Sequence, residues 1–337
     1  MMGFIPQMIK TISTTDEAIV LAQIVHVEGS AYRREGAWMF FTESGNRIGL
    51  LSGGCLEADL QYRARELFHT GQVQICEFDL SSEDDLGWGR GAGCNGVVTV
   101  LLRDVDYEFR QGLLFLHDQL QKKQCVTFMQ EMWGDFNYRF SSETFHSGTL
   151  QNKMINETMR PFQQIAGRRW IEDEPFFYQA IWPEPSLYLF GAGADARPFA
   201  AMGAKVGYSV HICDWRPSLC SEDHFPLAAS LQIGVIEDLL KNIMFTPIDS
   251  VVIMTHDFQV DKLILERIKD EQLLYAGLLG SEKRTKRLLG EDIPSWLHSP
   301  IGISIGAEGP EEIAVSIISE MISVRRSAAI WPSLASI

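Results

Sequence analysis

The sequence is short of positive charge, of cysteine and of long apolar runs. Against 44 Asp and Glu stand 29 Lys and Arg, a net charge of −15. Nucleic acids and anionic membrane surfaces are recognised by clustered basic side chains, so this balance argues against both as partners. No run approaches the roughly 18 consecutive apolar residues that a membrane-spanning helix needs. Asp16 and Glu17 fall where a signal peptide would be apolar, so the expected location is cytoplasmic. Six cysteines in 337 residues are too sparse for a disulfide framework and are expected as reduced thiols. No two stand in CxxC spacing and HExxH does not occur, which removes the common zinc and iron–sulfur signatures.

What is present is ordinary globular composition, 46% apolar and 22% charged, in a chain long enough for two cores. "AIVLAQIVHVEGS" at 18–30 reads as a buried strand, with Ser13 or Thr14 before it as the cap of a helical turn. "GAWMFF" and "RIGLL" flank the turn "TESGN" as a hairpin, and residues 54–71 carry helical spacing that stops at Gly71. Residues 106–123 read as helix and 125–181 as further strands and turns. "WPEP" at 182–185 is a stiff linker. Beyond it short apolar strands alternate with helical patterns, the mark of a parallel sheet. The expected class is α/β: a mixed α+β domain over 1–181, then a Rossmann-like doubly wound domain over 185–337.

"LYLFGAGADARPFAAMGAKVGYSVHICDW" has the layout of a dinucleotide-binding unit. A strand runs into Gly191, Gly193 and Ala194, with Ala196 at the third position of the motif, and the helix that follows is expected from Ala194 to Gly203. Glycines there serve a tight turn and close approach to phosphate, and the helix N-terminus favours an anion. Asp214 ends the next strand at the spacing of about 20 residues where an acid can hold a ribose hydroxyl. Asp195 is discordant, because its charge repels a pyrophosphate laid on those amides.

Cys55 follows Ser52, Gly53 and Gly54 and is expected at a helix N-terminus, where a thiolate is favoured. Cys94 stands among glycines near Arg90. Both are candidate thiols, while Cys76, Cys125 and Cys213 read as core and Cys220 as undecided. Small apolar filling beside a turn is the plain alternative for each of the two.

"EGSAYRREGAWM", "LSGGCLEADL", "GAGCNG", "LYLFGAGADARPFA", "VVIMTHDFQVD", "YAGLLGSEKRTKRLL" and "PIGISIGAEGPEEIAVSIISE" occur in an order that resembles the XdhC/CoxI family, accessory proteins of xanthine dehydrogenase in purine catabolism. Residues 130–180 match poorly. The resemblance implies a chaperone that binds molybdenum cofactor, as molybdopterin or its dinucleotide, supports its sulfuration and inserts it into xanthine dehydrogenase without independent catalysis. It further implies a homodimer and a cysteine desulfurase as partner. Cys55 and Cys94 then become molybdenum contacts or sulfur handlers, and the amides of Gly191 to Ala194 a rest for phosphate. Tyr32 departs from the family's proline, but Arg33 matches its arginine and suits a phosphate or carboxylate, with pairing to Glu35 as the plain alternative. His256 and Asp257 offer hydrogen bonds to a pterin at a strand's end, Asp261 a helix cap, and Lys283 and Arg284 positive charge. Glu311 and Glu312 suit the start of a helix. The competing functions are an NAD(P)-dependent oxidoreductase built on Gly191, Gly193 and Asp214, and a component of purely structural role.

Overall fold

The computed structural model describes residues 4–80, 96–150, 166–171, 173–290 and 292–327. The chain divides into two compact units, one ending at Pro183 and the other beginning at Glu184.

The first unit opens with a helix, α1 (Phe4–Ile12). Ile5, Met8, Ile9 and Ile12 recur at helical spacing and are buried. Ser13 and Thr14 therefore follow a helix instead of capping one, and their hydroxyls donate to Lys10 and Thr11 carbonyls. The strands β1 (Ile19–Gly29), β2 (Trp38–Thr42), β3 (Arg47–Gly49), β4 (Val73–Asp79) and β5 (Gly96–Asp104) form an antiparallel sheet in the order β3-β2-β1-β5-β4. β1 is central and covered on both faces, which is why it reads as an unbroken apolar run. Ile19, Leu21 and Val25 face a core shared with α1 and α3 (Tyr107–Gln121). Val20, Ala22 and Ile24 face α2 (Glu57–Leu67) through Leu60, Ala64 and Leu67.

A second antiparallel sheet is built from β6 (Val126–Glu131), β7 (Tyr138–Ser141), β8 (His146–Ser147), β9 (Ala166–Ile171) and β10 (Glu174–Ile181), in the order β8-β7-β6-β10-β9. Gln179 ties it to the first sheet. Its buried amide accepts from Trp38 Nε1 at 2.9 Å and Gln23 Nε2 at 3.1 Å, and donates to Gly36 O at 2.9 Å. Burying so polar a group is tolerable because its bonds are made.

The second unit is a parallel sheet of β11 (Ser186–Phe190), β12 (Ser209–Asp214), β13 (Ser230–Ile233), β14 (Ser250–Ile253) and β15 (Tyr275–Leu278), in the order β13-β12-β11-β14-β15. α4 (Ala196–Lys205) and α8 (Pro310–Ser327) cover one face, and α5 (Ile236–Asn242), α6 (Phe258–Ile268) and α7 (Glu282–Leu289) the other. This is the doubly wound Rossmann-like arrangement. The order reverses between β11 and β14, where such sheets open a crevice beyond their strand ends.

Candidate functional site at the strand ends and the cysteine turn

The turn after β11 owes its shape to close approach. Gly191 has φ +111°, and a Cβ there would lie 2.3 Å from the carbonyl oxygen of Met254, on the neighbouring strand end. Asp214 holds the turn from the other side and is fully buried. One carboxylate oxygen accepts from the amide of Ala192 at 2.6 Å and Arg216 Nη2 at 2.7 Å. The other accepts from Arg216 N at 2.8 Å and Nε at 2.9 Å. Burial pushes this carboxyl up, but the Arg216 guanidinium and the amides of Ala192 and Arg216 outweigh it and hold it below its ordinary value. Asp214 thus binds its own chain instead of standing ready for a ribose.

Asp195 is the N-cap of α4, so the helix begins two residues later than the sequence pattern places it. Its Oδ1 accepts from Ala196 N at 3.1 Å and would lie 2.7 Å from a Cβ on Gly193. Its Oδ2 meets His256 Nε2 at 2.7 Å. Ala194, beside it, is exposed. The carboxylate lies against the turn where a pyrophosphate would rest. His256 follows β14 with φ 59°, a left-handed conformation uncommon for a residue with a side chain.

Around this pair the acids and bases have separate duties. Asp257 caps α6, accepting from Gln259 N at 2.9 Å and Val260 N at 3.0 Å. The expected cap Asp261 is instead buried, bonded to the Thr255 hydroxyl and to Arg284 Nη1. Arg284 is therefore committed to an internal ion pair, while Lys283 stays exposed. Ser281 caps α7, accepting from Arg284 N. Glu311 and Glu312 lie in the first turn of α8, and Glu312 accepts from Glu308 N at 2.7 Å.

In the first unit Cys55 is half-buried and packs beside the α2 core, one residue before the N-cap Leu56. Ser52 organises its turn: its hydroxyl accepts from Gly54 N at 3.1 Å and Leu56 N at 3.2 Å, and donates to Glu57. Glu57 also accepts from Ser52 N at 2.7 Å. Burial raises the Glu57 carboxyl, yet the Ser52 hydroxyl and amide prevail and keep it below its usual range. The amides expected to favour a thiolate are thus partly spent on Ser52, and an ionised acid sits two residues away. A Cβ on Gly53 or Gly54 would meet nothing within 4 Å. Cys94 lies outside the described residues.

Of the five described cysteines, Cys76, Cys213 and Cys220 are buried. Burial pushes Cys125 and Cys213 up to about 12, Cys220 to about 11, and raises Cys76, so these thiols stay protonated. Arg33 is half-buried and lines a cavity of about 360 Å³ with Met8, Trp38, Ile48 and Leu50. Glu35, the partner in the plain alternative for Arg33, accepts from Val27 N at 3.0 Å and lies 4.0 Å from His26.

Two spacings escaped the reading of the sequence. Cys220 and His224 stand four apart, but Cys220 points to Ile212 O and His224 Nδ1 meets Leu219 O at 2.9 Å. Among the described residues no three His, Cys, Asp or Glu side chains gather as a metal site. Gly302-Ile303-Ser304-Ile305-Gly306 has the letters of a nucleophile elbow, yet it lies in a loop before α8 and not on a strand-to-helix turn.

Residues 187–321 match the model of the XdhC Rossmann domain, and 13–79 that of the XdhC and CoxI family. Over 330 residues the chain is 41% identical to a probable xanthine dehydrogenase subunit of Bacillus subtilis, covering 98% of this chain and all of that one. The chain belongs to the XdhC and CoxI family. A second family relative, the molybdenum cofactor insertion chaperone PaoD of Escherichia coli, is 23% identical across 91% of this chain and 83% of its own. A crystal structure of a xanthine dehydrogenase from Bacillus halodurans superposes with a TM-score of 0.87 at 38% identity, covering 98% of this chain and 99% of that one. The likeness extends through both units, so the XdhC Rossmann domain is one half of a shared two-unit plan. No helix among the described residues is long and apolar enough to cross a membrane.

Proposed function

We propose that this XdhC-family chain is a cytoplasmic accessory protein that binds molybdenum cofactor, supports its sulfuration and inserts it into xanthine dehydrogenase in purine catabolism. The observation that carries this reading is the use made of the Rossmann turn. Asp214 is consumed by Arg216 and Ala192, and a carboxylate overlies Gly193, so the turn is poorly suited to a nicotinamide dinucleotide. That weighs against the oxidoreductase reading. The relatives' names, an insertion chaperone and a xanthine dehydrogenase component, supply the cargo and the partner.

The donor set fits the cargo in part. Molybdenum and its dithiolene favour soft ligands, and Cys55 offers a half-buried sulfur at the edge of the α2 core. Gly53 and Gly54 leave open space beside it, and Cys94 would be the second sulfur. The Gly191–Ala194 turn fits a phosphate badly while Asp195 lies there. A cysteine desulfurase and a second copy of the chain complete the proposed assembly.

The test is purification from molybdate-fed cells, with molybdenum analysis and pterin fluorescence. The expected result is bound molybdenum and pterin, with Cys55→Ala lowering the metal content about tenfold at unchanged folding, as loss of a metal ligand does. A chain free of both, which instead binds NADH tightly and turns over a small substrate, overturns the reading.

A further inference from the structure

We infer that Asp195 and His256 form a receptor for a hydrogen-bond-donating ring edge, the 2-amino-4-oxopyrimidine that pterin and guanine share. This rests on the reading above and names the chemical group that the second unit, taken by itself, would recognise.

The pair spans the place where the strand order reverses. Asp195 follows β11 and His256 follows β14, adjacent strands on the two sides of the reversal. Their side chains meet at 2.7 Å across the strand ends where ligands of such sheets bind. A carboxylate there reverses the polarity of the usual turn: it repels phosphate and accepts donors. The amino group and the adjacent ring N–H of an aminopyrimidinone point the same way, and each Asp195 oxygen, already accepting one bond from Ala196 N or His256 Nε2, keeps a lone pair for one of these two parallel donors. A carboxylate only accepts, so Nε2 donates to Asp195, and Nδ1 remains on a side chain 62% exposed. The neighbouring cation Arg216 gives its hydrogen bonds to Asp214 and none to Asp195, although it still feels the Asp195 charge.

The experiment uses the full chain and three fluorescent or competing probes: pterin, lumazine, which carries an oxo group in place of the 2-amino donor, and inorganic pyrophosphate. Pterin is expected to bind about tenfold or more tighter than lumazine, the discrimination typical of a charge-assisted hydrogen bond. Asp195→Asn should erase that preference while leaving the urea midpoint near the parent value, and pyrophosphate should not compete with pterin in the parent. Guanosine separates the sources: competition with pterin supports the shared edge, and guanosine binding without pterin binding supports the same edge from the guanine of a dinucleotide. Equal affinity for pterin and lumazine, or displacement of pterin by pyrophosphate, overturns the inference, and both are read on the parent chain even if the variant misfolds. A chain that purifies with molybdenum and pterin yet shows no preference for the amino donor sinks this inference alone. A preference without any molybdenum load sinks the cofactor reading and leaves the receptor standing.

Discussion

The glycine turn before α2 in the first unit and the one before α4 in the second use glycine for opposite reasons. Gly54 before α2 and Gly191 before α4 have nearly the same φ, +115° and +111°. Around Gly54 a Cβ would meet nothing within 4 Å, whereas at Gly191 it would strike Met254. Each turn is held by one buried acid, Glu57 reaching back from its own helix and Asp214 reaching across from the next strand. Glycine in the first turn keeps space empty, and in the second lets backbone close on backbone. Composition is the same, and packing decides which role it plays.

The largest expected effect breaks the closed turn. Gly191→Ala adds a methyl into the Met254 carbonyl and forces a side-chain residue into a left-handed backbone. Each cost is on the order of 1–3 kcal/mol, so a loss of about 3 kcal/mol or more in urea unfolding is expected. A loss below about 0.5 kcal/mol, the range of an ordinary surface change, would show that the turn is not packed this way.

Asp214→Asn should come next, at about 2–3 kcal/mol, because it leaves the Arg216 guanidinium and the Ala192 amide without a charged acceptor. The sign with pH follows from the lowered Asp214 pKa. A carboxyl whose folded pKa lies below its unfolded value adds stability above the unfolded pKa and loses it as pH falls through the folded value. The gap between parent and variant should therefore be full at neutral pH and shrink in acid. A gap that stays constant down to the acid transition would mean that Asp214 is not held by charge.

The fold was largely legible because burial on both faces writes itself into sequence. β1 and the strands of the second unit are apolar runs, and Rossmann spacing put Gly191, Gly193 and Asp214 in their elements. α1 carried its signal in the spacing of Ile5, Met8, Ile9 and Ile12, and Pro6 is compatible with it because proline is tolerated in a helix's first turn. α5 spans seven residues, under two turns, too few for periodicity to separate from chance. The site was less legible. Spacing says that Asp214 ends a strand, not whether it faces a ligand or its own chain, and Arg216 two residues on decided that. Asp195 and His256 are 61 residues apart, and only the pairing of β11 with β14 brings them together.

The smallest effect on stability is the sharpest test of the open turn. Gly53 lacks the left-handed backbone of Gly54, and its Cβ position faces empty space. Gly53→Ala should therefore shift unfolding by no more than about 0.5 kcal/mol, with the entropy lost from the unfolded chain pulling toward stabilisation. If the space before Cys55 is kept for a bulky guest, the same methyl should lower molybdenum content while the urea midpoint stays put. Paired measurement separates the two kinds of glycine: at Gly191 stability falls, and at Gly53 only occupancy does. A destabilisation above about 1 kcal/mol at Gly53 would mean that something already fills that space, and the contrast between the turns would collapse.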